Sequence, residues 1–171
     1  MDVERRERRW AARDARTGAV VAYHVRIDSE DGAKRIWWED TEGNRQLPEG
    51  IKVADLALYN IQNVQGAEEI LIVEGEKCAD ALIGEGIPAV GTICGASTCP
   101  SDDALRAVVQ FDRIVLWSDN DIAGRRQMSD IARRLHALGA TNLRIVNWAD
   151  APEKGDCADA VDQNVDIRQL I

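Results

Sequence analysis

From about residue 69 onward, short apolar runs alternate with segments of helical periodicity. Four runs have the length of strands and cover residues 69–73, 87–93, 113–118 and 143–148. Helical patterns fill the intervals between them, at residues 77–86, 101–110 and 124–138. Short apolar strands that alternate with helices pack as a mainly parallel sheet with helices on both faces. This part of the chain therefore predicts an α/β, Rossmann-like fold.

The residues before about position 65 have a different pattern. Segments rich in β-forming residues, 20–28 and 36–40, are separated by clusters of turn-forming residues. This alternation is typical of hairpins in a small antiparallel sheet. Residues 51–64 are ambiguous, with an apolar spacing that suits a short helix. We therefore divide the sequence into a hairpin-rich N-terminal segment, 1–65, and an α/β domain, 66–171.

The composition predicts a globular protein. Hydrophobic residues make up 45% of the chain and charged residues 30%. No apolar run approaches the roughly 18 residues of a membrane helix, and the charged start lacks the apolar segment of a signal peptide. We therefore expect a cytoplasmic protein without membrane association. The four cysteines show no Cys-x-x-Cys spacing, so we expect reduced, structural thiols rather than a zinc ribbon.

The net charge of −9 is unusual for a protein that binds nucleic acid, because phosphate contacts normally come from a surplus of Lys and Arg. The acidic excess lies in one part of the chain. Residues 1–52 contain 11 basic and 11 acidic residues, whereas residues 53–171 contain 10 and 19. Part of the C-terminal acidity is thus available for metal binding.

Acidic residues follow three of the predicted strands. They are Glu74 after the first, Asp119 and Asp121 after the third, and Asp156 and Asp159 after the fourth. The carboxyl ends of parallel strands meet at one edge of a sheet, so we expect all five carboxylates to face one cleft. Oxygen-only ligands favour hard cations, which predicts a site for Mg²⁺ or Mn²⁺. The alternative for a single member is a helix cap, which Asp119 or Asp121 could provide near Gly124.

The segments that carry these acids resemble the three signature segments of TOPRIM domains. They are VEGEK at 73–77, WSDNDIAGR at 117–125 and EKGDCADAV at 153–161. The set is most similar to the TOPRIM catalytic domain of phage and plasmid DNA primases and primase-helicases. There a hairpin-rich segment precedes the core, and ALYN at 57–60 fits that pattern. The resemblance covers roughly residues 20–165.

The resemblance implies metal-dependent nucleotidyl or phosphoryl transfer on nucleic acid, in phage or mobile-element DNA replication. It implies that Glu74 is the catalytic acid or base and one of the candidate metal ligands. The other implied metal ligands are Asp119, Asp121, Asp156 and Asp159. Many members have a further aspartate where this chain has Cys78, and Asp80 lies on a different helix face. A metal-dependent nuclease and a non-catalytic nucleic-acid-binding module of replication or defence remain alternatives.

Several basic and aromatic residues are candidates for substrate contact. Lys77 and Arg125 lie beside the acidic segments and are candidate catalytic residues that neutralise phosphate charge. The candidates for nucleic-acid binding are Arg5, Arg9, Trp38 and Arg126. The alternative is that these arginines lie on solvated helix faces. The expected partners are single-stranded DNA, nucleotides, and a helicase or zinc-bearing template-binding subunit, since the sequence lacks those modules.

Overall fold

The computed structural model describes residues 5–30, 32–95 and 98–171, and leaves the side chains of Arg5 and Arg6 undescribed. A three-stranded antiparallel sheet is formed by β1 (Arg5–Arg13), β2 (Val20–Ser29) and β3 (Lys34–Asp40). The predicted hairpins are therefore confirmed. The basic N-terminal run, for which a solvated helix was one interpretation, is instead strand β1. Trp10 and Ala12 are buried in it at the two-residue period of a strand, so the run covers a core.

The ambiguous stretch 51–64 is not a helix beyond two short 3₁₀ turns, Val53–Asp55 and Ile61–Asn63. Between the turns the backbone is extended and pairs with both sheets. The N–H of Ala57 donates to the carbonyl of Arg13 at 2.7 Å. Tyr59 and Gly91 exchange two backbone hydrogen bonds of 2.9 and 3.3 Å. The connection is thus a structural bridge between the two parts of the chain.

A four-stranded parallel sheet follows, in the order β5-β4-β6-β7. Its strands are β4 (Glu69–Glu74), β5 (Ala89–Thr92), β6 (Arg113–Trp117) and β7 (Leu143–Ile145). The helices are α1 (Gly75–Gly84), α2 (Asp102–Arg106), α3 (Ile122–Ala137), α4 (Cys157–Asp162) and α5 (Ile167–Leu170). The predicted α/β fold is confirmed, although α2 and β7 are shorter than their sequence patterns. Within the described ranges, no helix is long and apolar enough to cross a membrane.

Strand β4 separates two apolar layers. Ile70 and Ile72 pack in one layer with residues of α2 and α3, and Leu71 and Val73 pack in the other with residues of α1 and α4. These four side chains are fully buried. A central parallel strand is covered on both faces, which explains why its sequence is continuously apolar rather than alternating. The strand that ends in Glu74 is therefore held rigidly.

A smaller apolar cluster joins the antiparallel sheet to the parallel one. It contains Ala12 of β1, Ala22 of β2, Leu56 of the bridge and Ile93, which follows β5. Because Ile93 lies just beyond the carboxyl end of a parallel strand, this cluster holds the antiparallel sheet beside that edge. The edge where the acidic residues were expected is therefore one wall of a cleft between the two sheets.

Candidate active site

The ends of β4 and β6 bring Glu74 and Asp119 together. The two strands are parallel neighbours, with Val73 aligned to Trp117. Glu74 Oε1 accepts a hydrogen bond of 2.9 Å from the backbone N–H of Asp119. This contact fixes one carboxylate oxygen of Glu74 on the loop that carries Asp119 and Asp121.

Two glycines make this approach possible. Gly75 has a φ of +78°, a conformation that L side chains rarely adopt, at the turn from β4 into α1. Gly124, in the first turn of α3, lies against Glu74. A Cβ at Gly124 would be 2.3 Å from Glu74 Oε1 and 3.0 Å from the carbonyl oxygen of Asp119. The glycine of the segment DNDIAGR is therefore a packing requirement of the site.

Burial and mutual repulsion disfavour the ionised form of these acids. Burial, followed by the negative charges of Glu74 and Asp156, raises the pKa of Asp119 to about 7. Burial likewise raises the pKa of Glu74, against the effect of its hydrogen bond from Asp119. Carboxylates that repel one another in a desolvated site favour a proton or a cation nearby. The raised pKa values of Asp119 and Glu74 thus favour proton exchange or cation binding at this site.

The remaining predicted metal ligands also serve as helix caps. Asp121 Oδ1 accepts from the N–H of Gly124 at 2.7 Å, which is the capping alternative considered for this residue. Asp156 and Asp159 form a reciprocal capping box at the start of α4, with both bonds at 2.9 Å. Glu74, Asp119, Asp121 and Asp156 line the cleft, whereas Asp159 does not. Asp159 Oδ2 accepts from the backbone N–H of Asp156, and the assignment of Asp159 as a metal ligand stays a prediction.

The cleft has a volume of about 490 Å³ and its opposite wall is the antiparallel sheet. That wall presents His24, Arg26, Lys34 and Ile36. One side of the cleft is thus acidic, and the other is cationic and partly apolar. A phosphate-bearing ligand fits such a space, because its anionic groups can meet the basic side chains while a cation screens them from the acids.

The contacts that dock the two walls were not predicted from the sequence. His24 Nδ1 lies 2.7 Å from Oε1 of the buried Glu76. The indole N–H of Trp10 and the hydroxyl of Tyr59 both donate to Asp80, at 2.8 and 2.7 Å. Glu76 and Asp80 are four residues apart and share one face of α1, which is the only sequence signal that could have suggested them. Asp80 is therefore engaged with the antiparallel sheet and does not replace the expected aspartate.

Cys78 stands at the position where the resemblance to TOPRIM domains implied an aspartate. Its side chain is 4% exposed and packs in the same apolar layer as Cys157. The thiol of Cys157 donates to the carbonyl of Cys78 at 3.5 Å. Cys78 therefore contributes a packing contact between α1 and α4 instead of a carboxylate. All four cysteines are free thiols.

The predicted substrate-binding residues are dispersed. Lys77 lines the cleft and lies 3.5 Å from Asp156. Arg125 and Arg126 do not line the cleft; they line two other depressions, and Arg125 donates to Asn120 at 2.9 Å.

Among the N-terminal candidates, Arg9 lies over the ring of Tyr23 and pairs with Glu39, and Trp38 stacks on His24 with ring centroids 4.5 Å apart. The backbone of Arg5 begins β1, but its side chain falls outside the described residues.

The geometry and donor atoms of the acidic wall determine how it could hold a metal ion. In the described ranges, no group of three or more His, Cys, Asp or Glu side chains converges closely enough to hold a metal ion. Mg²⁺, however, is commonly held by one or two carboxylates together with waters and substrate phosphates, rather than by a complete protein cage. The oxygen-only donors and the raised pKa of Asp119 fit that mode of binding. Asp119 and Asp121 both line the cleft and would be ligands in that mode.

No protein-family model and no curated protein matches the sequence. Solved structures do match the fold. One match is a chain in the structure of bacteriophage T7 lagging-strand DNA polymerase interacting with primase domains bound to an RNA/DNA hybrid and dTTP. That chain is 21% identical to this one. It has a TM-score of 0.64, over 96% of this chain and 76% of that one. The E. coli primase catalytic core is 21% identical, with a TM-score of 0.63 over 91% of this chain and 47% of that one.

The DnaG primase catalytic domain bound to single-stranded DNA is 18% identical, with a TM-score of 0.64 over 92% and 48% of the two chains. This chain thus spans about half the length of the two DnaG-type structures. It has the α/β fold of primase catalytic cores, with the antiparallel sheet that precedes the parallel one.

Proposed function

We propose that this chain is a primase-like catalytic unit of the TOPRIM type, which joins nucleotides on single-stranded DNA in a Mg²⁺- or Mn²⁺-dependent reaction. The observation that carries the proposal is the contact between Glu74 and Asp119 in a cleft whose other wall is basic. Burial and mutual repulsion raise the pKa of both acids when no cation is near. The fold shared with primase cores supports the same class of reaction.

Asp119 and Asp121 are proposed to hold the ion, with Asp156 at the side of the site. Asp121 Oδ1 is used as a helix cap, so its second oxygen is the one available to the cleft. Asp156 Oδ1 is used in the same way, and Lys77 lies near its Oδ2. Bound there, Mg²⁺ would neutralise the charge that develops on a transferring phosphoryl group. Asp159 contributes indirectly, by fixing the backbone of Asp156.

Glu74 is proposed to exchange a proton with the reacting hydroxyl or the leaving group. Its Oε1 is fixed by the N–H of Asp119, which leaves Oε2 for that exchange. Burial raises the pKa of Glu74 toward the range in which a carboxyl group is an effective acid or base near neutral pH. Gly124 prevents the side chain from being displaced by helix α3. Glu74 is therefore held in place by both the Asp119 loop and helix α3.

The antiparallel sheet is proposed to bind the phosphates of the template or the nucleotide. Arg26 and Lys34 face the acidic wall from β2 and β3. The stacked rings of His24 and Trp38 provide an aromatic surface at the same wall, which suits contact with an unpaired base. A helicase or a zinc-bearing subunit is proposed as the partner that delivers the template.

The test is primer synthesis on single-stranded DNA with nucleoside triphosphates and either Mg²⁺ or Mn²⁺. We expect Glu74→Gln and Asp119→Asn to reduce synthesis by about 100-fold or more. The matched controls are Glu85→Gln and Asp112→Asn, which change exposed acids outside the cleft and should leave synthesis unchanged. Equal activity of the site and control variants would contradict the assigned roles. A parallel cleavage assay on the same DNA reports the nuclease alternative.

A non-catalytic nucleic-acid-binding module is the second candidate, and the burial of Cys78 in place of an aspartate favours it. In that case the wild type binds single-stranded DNA, but Mg²⁺ leaves its melting temperature unchanged and no primer is formed. A catalytic site predicts a rise in melting temperature with Mg²⁺, because a ligand that binds only the folded state stabilises it.

A further inference from the structure

Asn120, which separates the two aspartates of the Asp-Asn-Asp segment, connects two loops of the site. Its side-chain amide donates to the carbonyls of Ala151 and Pro152, at 3.0 and 2.9 Å. Its backbone N–H donates to Gly155 at 2.8 Å, and its carbonyl accepts from Lys154 at 3.1 Å. Asn120 thus fixes the loop before Asp156 onto the loop that carries Asp119 and Asp121.

The loop held by Asn120 contains a backbone outlier. Three described non-glycine residues have a positive φ: Asn60, Lys154 and Asn164, and that of Lys154 is 59°. Asparagine tolerates this conformation well, but lysine does not. A glycine at position 154 would satisfy the backbone better. The fold of the loop alone therefore gives no reason for a lysine at this position.

The location of Lys154 offers that explanation. It lines the cleft together with Glu74, Asp119 and Asp156. Two other cations of the cleft already have partners: Arg26 pairs with Asp28 at 2.8 Å, and Lys77 lies 3.5 Å from Asp156. Lys154 forms no ion pair with any residue in the described ranges. Its ammonium group is thus available to an anion in the cleft.

We propose that Lys154 is a phosphate-binding residue and that Asn120 is the positioning residue that holds it at the cleft. The ligand class is a phosphate group, either of a nucleoside triphosphate or of a single-stranded DNA backbone. The inference rests on the proposed function, because it names a substrate contact of the same cleft. Lys34 lies on the opposite wall, so a phosphate between the two sheets meets a cation from each side.

The decisive variant is Lys154→Gly. Glycine adopts a positive φ without strain, so the melting temperature should equal or exceed that of the wild type. Affinities for MgATP and for a fluorescent single-stranded oligonucleotide are then measured. We expect at least one to fall about tenfold, with KM rising and kcat little changed. If DNA is the ligand, the slope of log affinity against log salt should become shallower by about 0.7, the value for one lost phosphate contact. A loss confined to MgATP assigns the contact to the triphosphate.

The control is Lys52→Ala, which removes the charge of an exposed lysine outside the cleft. Asn120→Ala should reproduce the loss of affinity and also speed proteolysis of the loop 151–155. The inference is overturned if Lys154→Gly binds both probes as tightly as Lys52→Ala does. It is also overturned if the wild type binds neither probe. If primers are synthesised normally by Lys154→Gly, the proposed function stands without it. If no primer is ever formed but binding depends on Lys154, the phosphate contact stands and the primase proposal fails.

Discussion

The backbone N–H of Asp119 donates to Oε1 of Glu74 across neighbouring parallel strands, at 2.9 Å, with Gly124 closing the space behind them. Two separate segments of the sequence, 73–77 and 117–125, thus meet at one carboxylate. Many α/β proteins have acids at strand ends. This contact fixes the position of Glu74 relative to Asp119. The predictions below test it and the contacts that support it.

Gly124→Ala should displace Glu74. The new methyl group would lie 2.3 Å from Glu74 Oε1, so we expect a loss of roughly 1–3 kcal/mol in the free energy of unfolding, measured in urea. The control is Gly84→Ala at the end of α1, where a Cβ meets nothing within 4 Å. That change should be neutral or stabilising by up to about 1 kcal/mol, because alanine favours helix. Equal effects of the two substitutions would show that the close approach at Gly124 is unimportant.

Asp119→Asn should stabilise the protein when no metal is present. The raised pKa of Asp119 means that its ionised form opposes folding, and this penalty grows as pH rises from about 4 through about 7. At pH 8 in EDTA we expect the variant to be more stable by about 1–3 kcal/mol. It should also lose any stabilisation by Mg²⁺. A variant less stable than the wild type in EDTA would contradict the predicted repulsion.

The carboxylate of Asp40 should make the folded state more stable as pH rises, which is opposite to the effect of Asp119. Its carboxylate accepts from the side-chain amide and the N–H of Asn44, and these bonds lower its pKa to about 2. Because the folded pKa is lowered, the stabilisation is fully present above the unfolded pKa of about 4 and is lost as pH falls through about 2. Melting temperatures of the wild type and Asp40→Asn should therefore differ at pH 6 and converge toward pH 2. A constant difference would exclude this role.

Two tryptophans form a matched pair for testing how the sheets dock. Trp10→Phe removes the indole N–H that donates to the carboxylate of Asp80. Because Asp80 is exposed and water can replace the lost donor, we expect a cost of about 1–1.5 kcal/mol. Trp37→Phe removes a buried indole N–H that has no hydrogen-bond partner among the described residues. That substitution should change the unfolding free energy by less than about 1 kcal/mol. If urea denaturation gives similar changes in unfolding free energy for Trp10→Phe and Trp37→Phe, the hydrogen bond between Trp10 and Asp80 is of little importance for docking.

The sequence was sufficient to predict the parallel sheet and the meeting of Glu74 with Asp119. Both follow from local patterns, namely apolar runs of strand length and the position of acids after them. Strand β1 was harder to predict, because six arginines within residues 5–16 obscure the alternation of Trp10 and Ala12. The placement of Arg125 depended on its bond to Asn120, which no pattern reports. The contact between His24 and Glu76 joins residues 52 positions apart, beyond the reach of periodicity.

The backbone pairing of Tyr59 with Gly91 limits where the chain can be cut into separate parts. Strand β5 lies at the end of the parallel sheet, and Tyr59 of the bridge pairs with its outer side at Gly91. Residues 66–171 produced alone would leave the N–H and carbonyl of Gly91 unpaired. An open strand of this kind is a template for pairing with another molecule. The isolated α/β part should therefore self-associate, and the hairpin-rich segment serves as its intramolecular protection against aggregation.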